Sequence, residues 1–200
     1  MFEISLKNRK YLLIATAFLV VGCGEASSNS PTQTLDQQES LTKITVTQQE
    51  LLDAINKARS VARDCYPDDP NRGFMEATHP LTWNSDLYAS ALEHANDLAQ
   101  SNTFSHDGSG TESDITGDGK PSKFYERIVA NGYTNYYTVG ENIAGGQKNL
   151  EEVMKAWLKS PAHCTNIMKD SYKEVGVAIV VKEDSNYGIY WAQNFGAKTK

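Results

Sequence analysis

Positive charge and long hydrophobic runs are both scarce in this 200-residue sequence. Acidic residues outnumber basic ones by 25 to 19, so the formal net charge at pH 7 is -6. Nucleic-acid binding needs clustered positive charge, so this balance argues against nucleic acid as the main partner. The apolar run at 11–21 is also too short to span a bilayer as a helix, which takes about 20 residues.

The N-terminus has the layout of an export signal. Residues 1–10 carry three basic side chains, the apolar run follows, and Gly22 then precedes Cys23. This layout resembles a bacterial lipoprotein signal, in which the cysteine is lipidated and becomes the first residue of the mature chain. We therefore predict a signal peptide over residues 1–22 and lipidation of Cys23. An ordinary secretion signal that is cleaved nearby is the alternative.

Residues 23–46 separate this signal from the first helical pattern. The segment is rich in Ser, Thr and Gln and poor in large apolar residues, which indicates a flexible tether. By analogy with lipoprotein sorting, Gly24 in place of Asp after the cysteine favours the outer membrane in a host that has one. The predicted location is thus the cell envelope, outside the cytoplasm and attached to a membrane by lipid.

Two further cysteines, Cys65 and Cys164, lie in the remaining chain. An exported protein folds where disulfides persist, and lipidation of Cys23 leaves an even number of thiols. We predict a Cys65–Cys164 disulfide, with two free thiols as the alternative.

Apolar periodicity predicts a helix-rich first part of a domain that spans residues 47–200. Thr47 and Glu50 have the spacing of a capping box, and apolar residues at helical spacing follow them. Three more helical patterns cover 84–100, 121–130 and 149–160.

The end of the domain changes to a strand pattern. Residues 175–181 and 187–195 are rich in Val, Ile and aromatic residues, and a short polar link joins them. That pattern predicts an antiparallel hairpin. Helices first and strands last indicate the α+β class rather than alternating α/β.

Three polar stretches sit at the edges of predicted elements and carry ionisable side chains. They are FSH at 104–106, GENIAGG at 140–146 and SPAHCTNIM at 160–168. His106, Glu141 and His163 are therefore candidates to meet at one site.

These stretches, together with WLKS, EVGVAI and YWAQNFG in the same order, resemble the CAP superfamily in its bacterial SCP-domain form. This superfamily comprises the cysteine-rich secretory, antigen 5 and pathogenesis-related 1 proteins. The resemblance covers roughly residues 48–196. It implies an α–β–α sandwich, with a mainly antiparallel sheet between helical layers and a cleft that holds two histidines and two acids.

The resemblance assigns cleft positions one by one. His106 matches the first histidine of the family, Glu141 the glutamate of GEN, and His163 the second histidine. Many members have a second acid three residues after the tryptophan. In this chain Ser160 occupies that position after Trp157, and it is the fourth candidate to line the cleft. The substitution argues against a mechanism that needs two carboxylates.

Two functions stay open at this point. In the first, the protein is a non-enzymatic envelope module whose cleft binds a small apolar or polar ligand or a partner protein. Lipid binding is known in the superfamily. In the second, Zn²⁺ on His106 and His163 lowers the pKa of a bound water, and Glu141 acts as the catalytic general base of a hydrolase. The missing second acid favours the first.

Three other features are interpreted as structural. Asp114 begins a segment that copies half of a calcium loop, but its twelfth position is Tyr125 where a glutamate belongs. The sequence has no G-x-S-x-G motif, and Ser160 before a proline is interpreted as a helix stop. His94 borders the apolar stripe of a predicted helix and is interpreted as a structural histidine.

Overall fold

A computed structural model describes residues 45–69, 71–72 and 74–199. This part of the chain contains five helices: α1 Gln48–Arg59, α2 Ser85–Ser101, α3 Phe124–Ala130, α4 Leu150–Lys159 and α5 Pro161–Met168. It also contains six strands: β1 Arg63–Asp64, β2 Phe74–Met75, β3 Thr82–Trp83, β4 Tyr136–Gly145, β5 Glu174–Val181 and β6 Ile189–Lys198. The predicted signal peptide, Cys23 and most of the predicted tether lie outside the described residues.

Side-chain caps explain where three of the helices begin. The capping box of Thr47 and Glu50 at the start of α1 is confirmed, with a 2.7 Å hydrogen bond from the Thr47 N–H to Glu50 Oε2. Asn84 caps α2 and Asn149 caps α4, because each side-chain oxygen accepts from backbone N–H groups of the first turn. The third helix begins at Phe124, three residues later than the predicted 121.

Periodicity did not predict β4 or α5. Ser160 ends α4 as expected, but the proline that follows it occupies the first turn of α5, where its missing N–H costs no hydrogen bond. The Ser-Pro pair therefore ends one helix and begins the next. This junction places the PAHCTNIM stretch on a helix of its own.

The main sheet has the strand order β3-β5-β6-β4. The predicted hairpin is confirmed, because β5 and β6 pair antiparallel from Glu174 opposite Gly196 to Val181 opposite Ile189. The pairing of β4 with β6 is also antiparallel, whereas β3 pairs parallel with β5 over two residues. The sheet is thus mainly antiparallel, and β4 lies at one of its edges.

Helical layers cover both faces of this sheet, which confirms the α–β–α sandwich and the α+β class. Trp191 and Phe195 of β6 pack into a core with α1, α4 and α5. Tyr190 and Ala192 of the same strand point the other way and pack against α2. Ile128 of α3 joins the α2 side through Leu87. Neighbouring residues of β6 face opposite helical layers because side chains point alternately to the two faces of a strand.

The predicted disulfide between Cys65 and Cys164 is present, with Cα atoms 5.5 Å apart. It joins the segment after β1 to α5, and both cysteines are buried. None of the helices in the described ranges is long and apolar enough to cross a membrane.

Candidate functional site

The site is built around the carboxylate of Glu141 at the edge of the sheet. Glu141 lies in β4, and its side chain is only 1% exposed. Ile143, two residues further on, packs on the α2 side of the sheet, so the Glu141 side chain faces the same layer. The surrounding groups come from α2, from the loop after it and from α3.

Arg127 and His106 bind the two oxygens of this carboxylate. Arg127 Nη2 donates to Oε2 at 3.0 Å, and His106 Nδ1 donates to Oε1 at 2.9 Å. Burial raises the pKa of Glu141, but the His106 hydrogen bond and the Arg127 charge outweigh it, so the pKa lies below 4.5. The carboxylate is therefore ionised, and each of its oxygens accepts a hydrogen bond.

Arg127 also fixes the loop that carries the first histidine. Its Nη2 donates to the backbone carbonyl of His106 at 2.9 Å, and its Nη1 donates to the carbonyl and hydroxyl of Ser122. One buried guanidinium thus binds Glu141, the FSH loop and the segment before α3. This arrangement holds His106 in place on the carboxylate.

A second buried histidine supports the same loop. His94 of α2 is fully buried and donates from Nε2 to the carbonyl of Ser105 at 2.9 Å. The same nitrogen lies 3.8 Å from Glu141 Oε1. Burial lowers the pKa of His94 below 6.5, which keeps the imidazole neutral at neutral pH.

His106 is the exposed member of the cluster. Its side chain is 51% exposed, and the hydrogen bond to Glu141 raises its pKa above 6.5, against the effect of burial. Because Nδ1 faces the carboxylate, Nε2 on the opposite side of the ring is the nitrogen that a ligand can reach. Within the described ranges, this nitrogen makes no hydrogen bond.

His163 belongs to a helix that is hydrogen-bonded to the edge strand. It lies in α5, and its carbonyl accepts from Asn142 Nδ2 at 3.3 Å. Asn166 in the same helix donates to the carbonyl of Glu141 at 3.2 Å. Burial lowers the pKa of His163, and the charge of His106 lowers it further. His106 lies in the loop after α2 and His163 lies in α5, and these two helices pack on opposite faces of the sheet.

Ser160 is the sequence candidate that the structure does not join to this cluster. It lies at the junction of α4 and α5, where its N–H donates to the carbonyls of Ala156 and Trp157. No hydrogen bond between its hydroxyl and His106, Glu141 or His163 occurs among the described residues. Its role in the cleft stays a prediction.

The sequence candidates did not include Arg127, which is the buried cationic partner of Glu141. It lies in a short helix without a motif, and its contact partner is 14 positions away. No local pattern marks it, and its role is visible only from its full burial in the structure. A charged residue on an apolar helical face needs a partner of opposite charge.

The described residues do not fit the zinc site that the sequence left open. None of their His, Cys, Asp and Glu side chains form a group of three or more that could hold a metal ion. Both oxygens of Glu141 are engaged by other side chains, which leaves two imidazoles, whereas a catalytic zinc takes three protein ligands. We derive no chemical step through zinc.

The calcium-like segment is a structural turn. Asp114 is buried, and its carboxylate accepts from the backbone and hydroxyl of Ser122 and from the backbone of Gly110. Those bonds use the oxygens that a cation would need.

The class of this protein follows from its fold and its site. The fold is a mainly antiparallel sheet between two helical layers. The site has a GEN glutamate beside one histidine and a second histidine across the edge strand, and together these features define a CAP-like domain. The model of the Cysteine-rich secretory protein family (CAP) matches residues 52–195, and the chain belongs to this family.

Relatives of known sequence or structure are similar over much of this domain. The uncharacterized protein YkwD of Bacillus subtilis is 35% identical over 119 residues, which are 60% of this chain and 40% of YkwD. An extracellular SCP-domain protein of Bacillus anthracis has a TM-score of 0.54 at 22% identity, covering 75% of this chain and 40% of that one. An outer surface protein of Borrelia burgdorferi has a TM-score of 0.52 at 19% identity, covering 77% of this chain and 97% of that one. This chain therefore spans less than half the length of the first two relatives.

Proposed function

We propose that this protein is a lipid-anchored cell-envelope module that binds a small ligand or a partner protein through His106 and His163. The observation that carries the proposal is the state of Glu141. Its carboxylate is buried and bound on both oxygens, so it positions His106 instead of accepting a proton from water.

The pKa directions support binding over general-base catalysis. A general base works best with a pKa near the working pH, and that of Glu141 is lowered from an already acidic value. His106, in contrast, has a raised pKa, and its Nε2 carries a hydrogen when the ring is protonated. In that protonated form the site fits a ligand or partner that presents a hydrogen-bond acceptor, such as a carbonyl or carboxylate oxygen, and in the neutral form Nε2 instead accepts from a donor.

Two observations support a location outside the cytoplasm. The buried Cys65–Cys164 disulfide is stable in oxidising compartments. The similar proteins of Bacillus anthracis and Borrelia burgdorferi are described as extracellular and as an outer surface protein.

Metabolic labelling with radioactive palmitate tests the anchor. The full chain is expected to incorporate the label and to fractionate with membranes, and Cys23→Ala is expected to lose both properties. Equal labelling of both proteins would exclude Cys23 as the lipidated residue.

Site-specific photo-crosslinking in the host cell tests the binding site. A benzoylphenylalanine at exposed Ala162, next to His163, is expected to capture a discrete lipid, small molecule or protein that mass spectrometry identifies. The variant His106→Gln is expected to abolish that adduct. The control position is Val181, which is exposed at the end of β5 and is separated from β4 by β6.

An adduct that is unchanged in His106→Gln, or that forms equally from Val181, would contradict the proposal. Zinc titration of the purified protein provides the complementary test. Near-stoichiometric zinc that is lost in the His106→Ala, His163→Ala double variant would favour the hydrolase instead.

A further inference from the structure

Two exposed aromatic rings form a platform beside the glycine-rich end of β4. Phe104 and Tyr187 have ring centroids 4.8 Å apart, with planes tilted by 44°. Phe104 is 41% exposed and Tyr187 is 45% exposed. Phe104 belongs to the same loop as His106, whereas Tyr187 precedes β6. We call this ring pair the aromatic platform.

The aromatic platform is held in a fixed position. A Cβ atom at Gly145 would lie 2.8 Å from Tyr187 Cγ and 3.2 Å from Phe104, so both rings rest directly on the glycine backbone. Buried Tyr190 contacts Tyr187 edge-on, with centroids 5.7 Å apart. Rings that are already positioned before binding lose little conformational entropy when a ligand stacks on them.

The two loops that carry these rings are also tied together. The Asn186 N–H donates to Asn102 Oδ1 at 2.8 Å, and Asn186 Nδ2 donates to the Asn102 carbonyl at 3.3 Å. These bonds leave the Asn102 amide nitrogen and the Asn186 amide oxygen without a partner among the described residues. An exposed amide donor and an exposed amide acceptor therefore flank the platform.

The chain segments that carry the platform are uncharged. The segments 102–105, 145–147 and 185–190 contain no charged residue, although Lys148 and Asp184 directly adjoin two of them. They offer Asn, Gln, Ser and Thr side chains beside the rings. Uncharged amides and hydroxyls next to exposed aromatic faces suit a neutral ligand with many hydroxyl groups and flat C–H faces, which describes a sugar chain. An anionic headgroup would need cationic side chains, and an acyl chain would need an enclosed apolar channel.

We propose that the aromatic platform binds a neutral oligosaccharide of the cell envelope. Sugar C–H faces stack on Phe104 and Tyr187, and sugar hydroxyls bond to Asn102 and Asn186. Gly145 and Glu141 share a face of β4 and are four residues apart, about 13 Å at the usual rise of a strand. A chain of several sugars lying on the platform thus extends toward His106. The inference rests on the proposed function, because it names a ligand class for the same face of β4.

Calorimetric titration of the full chain with three soluble probes tests this inference. The probes are chitotetraose, cellotetraose and maltotetraose, each at millimolar concentration. At least one probe is expected to bind, and Phe104→Ala and Tyr187→Ala are each expected to weaken its binding at least about tenfold, the loss of one stacking contact. Circular dichroism checks that both variants remain folded.

Phe74 provides the matched control. It is an aromatic residue with 64% exposure, and it lines a pocket with Met168 of α5, which packs on the opposite face of the sheet. Phe74→Ala is expected to leave oligosaccharide binding unchanged. Absence of binding of all three probes, or binding that survives loss of both platform rings, would overturn the inference. Displacement of a bound probe by octanoate at equal concentration would also overturn it, in favour of an acyl ligand.

The two proposals fail in distinguishable ways. If Ala162 gives no adduct that depends on His106 while ring-dependent oligosaccharide binding is observed, the imidazole site alone is contradicted. The reverse result contradicts the aromatic platform alone.

Discussion

Arg127 and Glu141 form a buried ion pair, with Nη2 and Oε2 3.0 Å apart and each side chain 1% exposed. The guanidinium donates to the His106 carbonyl as well, so the pair also sets the position of the exposed imidazole. Removing one member of such a pair leaves a buried charge without compensation, which is far more costly than losing an exposed ion pair.

Replacement of Arg127 by methionine is therefore expected to destabilise the fold strongly. Methionine keeps much of the buried volume but leaves the carboxylate without its cation. The free energy of unfolding in urea is expected to fall by about 3–5 kcal/mol.

The exposed ion pair of Lys123 and Asp107 provides the control, with both side chains nearly half exposed. Lys123→Met is expected to cost far less than Arg127→Met, because solvent screens the exposed pair. Equal losses in the two variants would show that the Arg127–Glu141 pair is not the stabilising contact described here.

The disulfide gives a second prediction. It closes a loop with a sequence separation of 99 residues, for which loop-closure entropy predicts about 4–5 kcal/mol of stabilisation. A reducing agent is expected to lower the urea midpoint of the wild-type chain by a corresponding amount.

The Cys65→Ala, Cys164→Ala double variant is expected to unfold at that lower midpoint and to show no response to the reductant. A wild-type midpoint that is insensitive to reduction would argue against the bridge as a source of stability.

His94 gives a third prediction, which separates hydrogen bonding from packing. His94→Leu removes the donor to the partly buried carbonyl of Ser105 and is expected to cost about 1–3 kcal/mol. His94→Gln keeps an N–H near the position of Nε2 and is expected to recover most of that loss.

Hydrogen exchange of the loop amides at 104–108 is expected to accelerate in His94→Leu and not in His94→Gln. If both variants behave alike, His94 fills space and does not position the FSH loop.

The fold was largely predictable from local signals in the sequence. Caps at Thr47, Asn84 and Asn149 mark helix starts, because a side-chain oxygen there satisfies N–H groups that have no partner within the helix. The hairpin β5–β6 was predicted from its Val, Ile and aromatic content. In contrast, β4 ends in the small residues of GENIAGG, and it is a strand because of its pairing with β6, which no local pattern shows.

The site was only half predictable for the same reason. His106, Glu141 and His163 lie in recognisable motifs, and the structure places His106 directly on Glu141. Arg127 and His94 lie inside helices with no distinctive local sequence. Their role follows from burial beside a carboxylate, which depends on the packing of α2 and α3 on the sheet.

The titration of the imidazoles by nuclear magnetic resonance tests the central claim most directly. The hydrogen bond to Glu141 raises the pKa of His106 in the folded protein. The stability that this contact provides is therefore fully present below pH 6.5, and it is lost as the pH rises through the pKa of the folded state. We expect His106 to titrate above 6.5 and His163 below it, and we expect Glu141→Gln to lower the pKa of His106. A His106 titration that is the same in the wild-type protein and in Glu141→Gln would contradict the claim that an ionised, buried carboxylate supports the exposed imidazole.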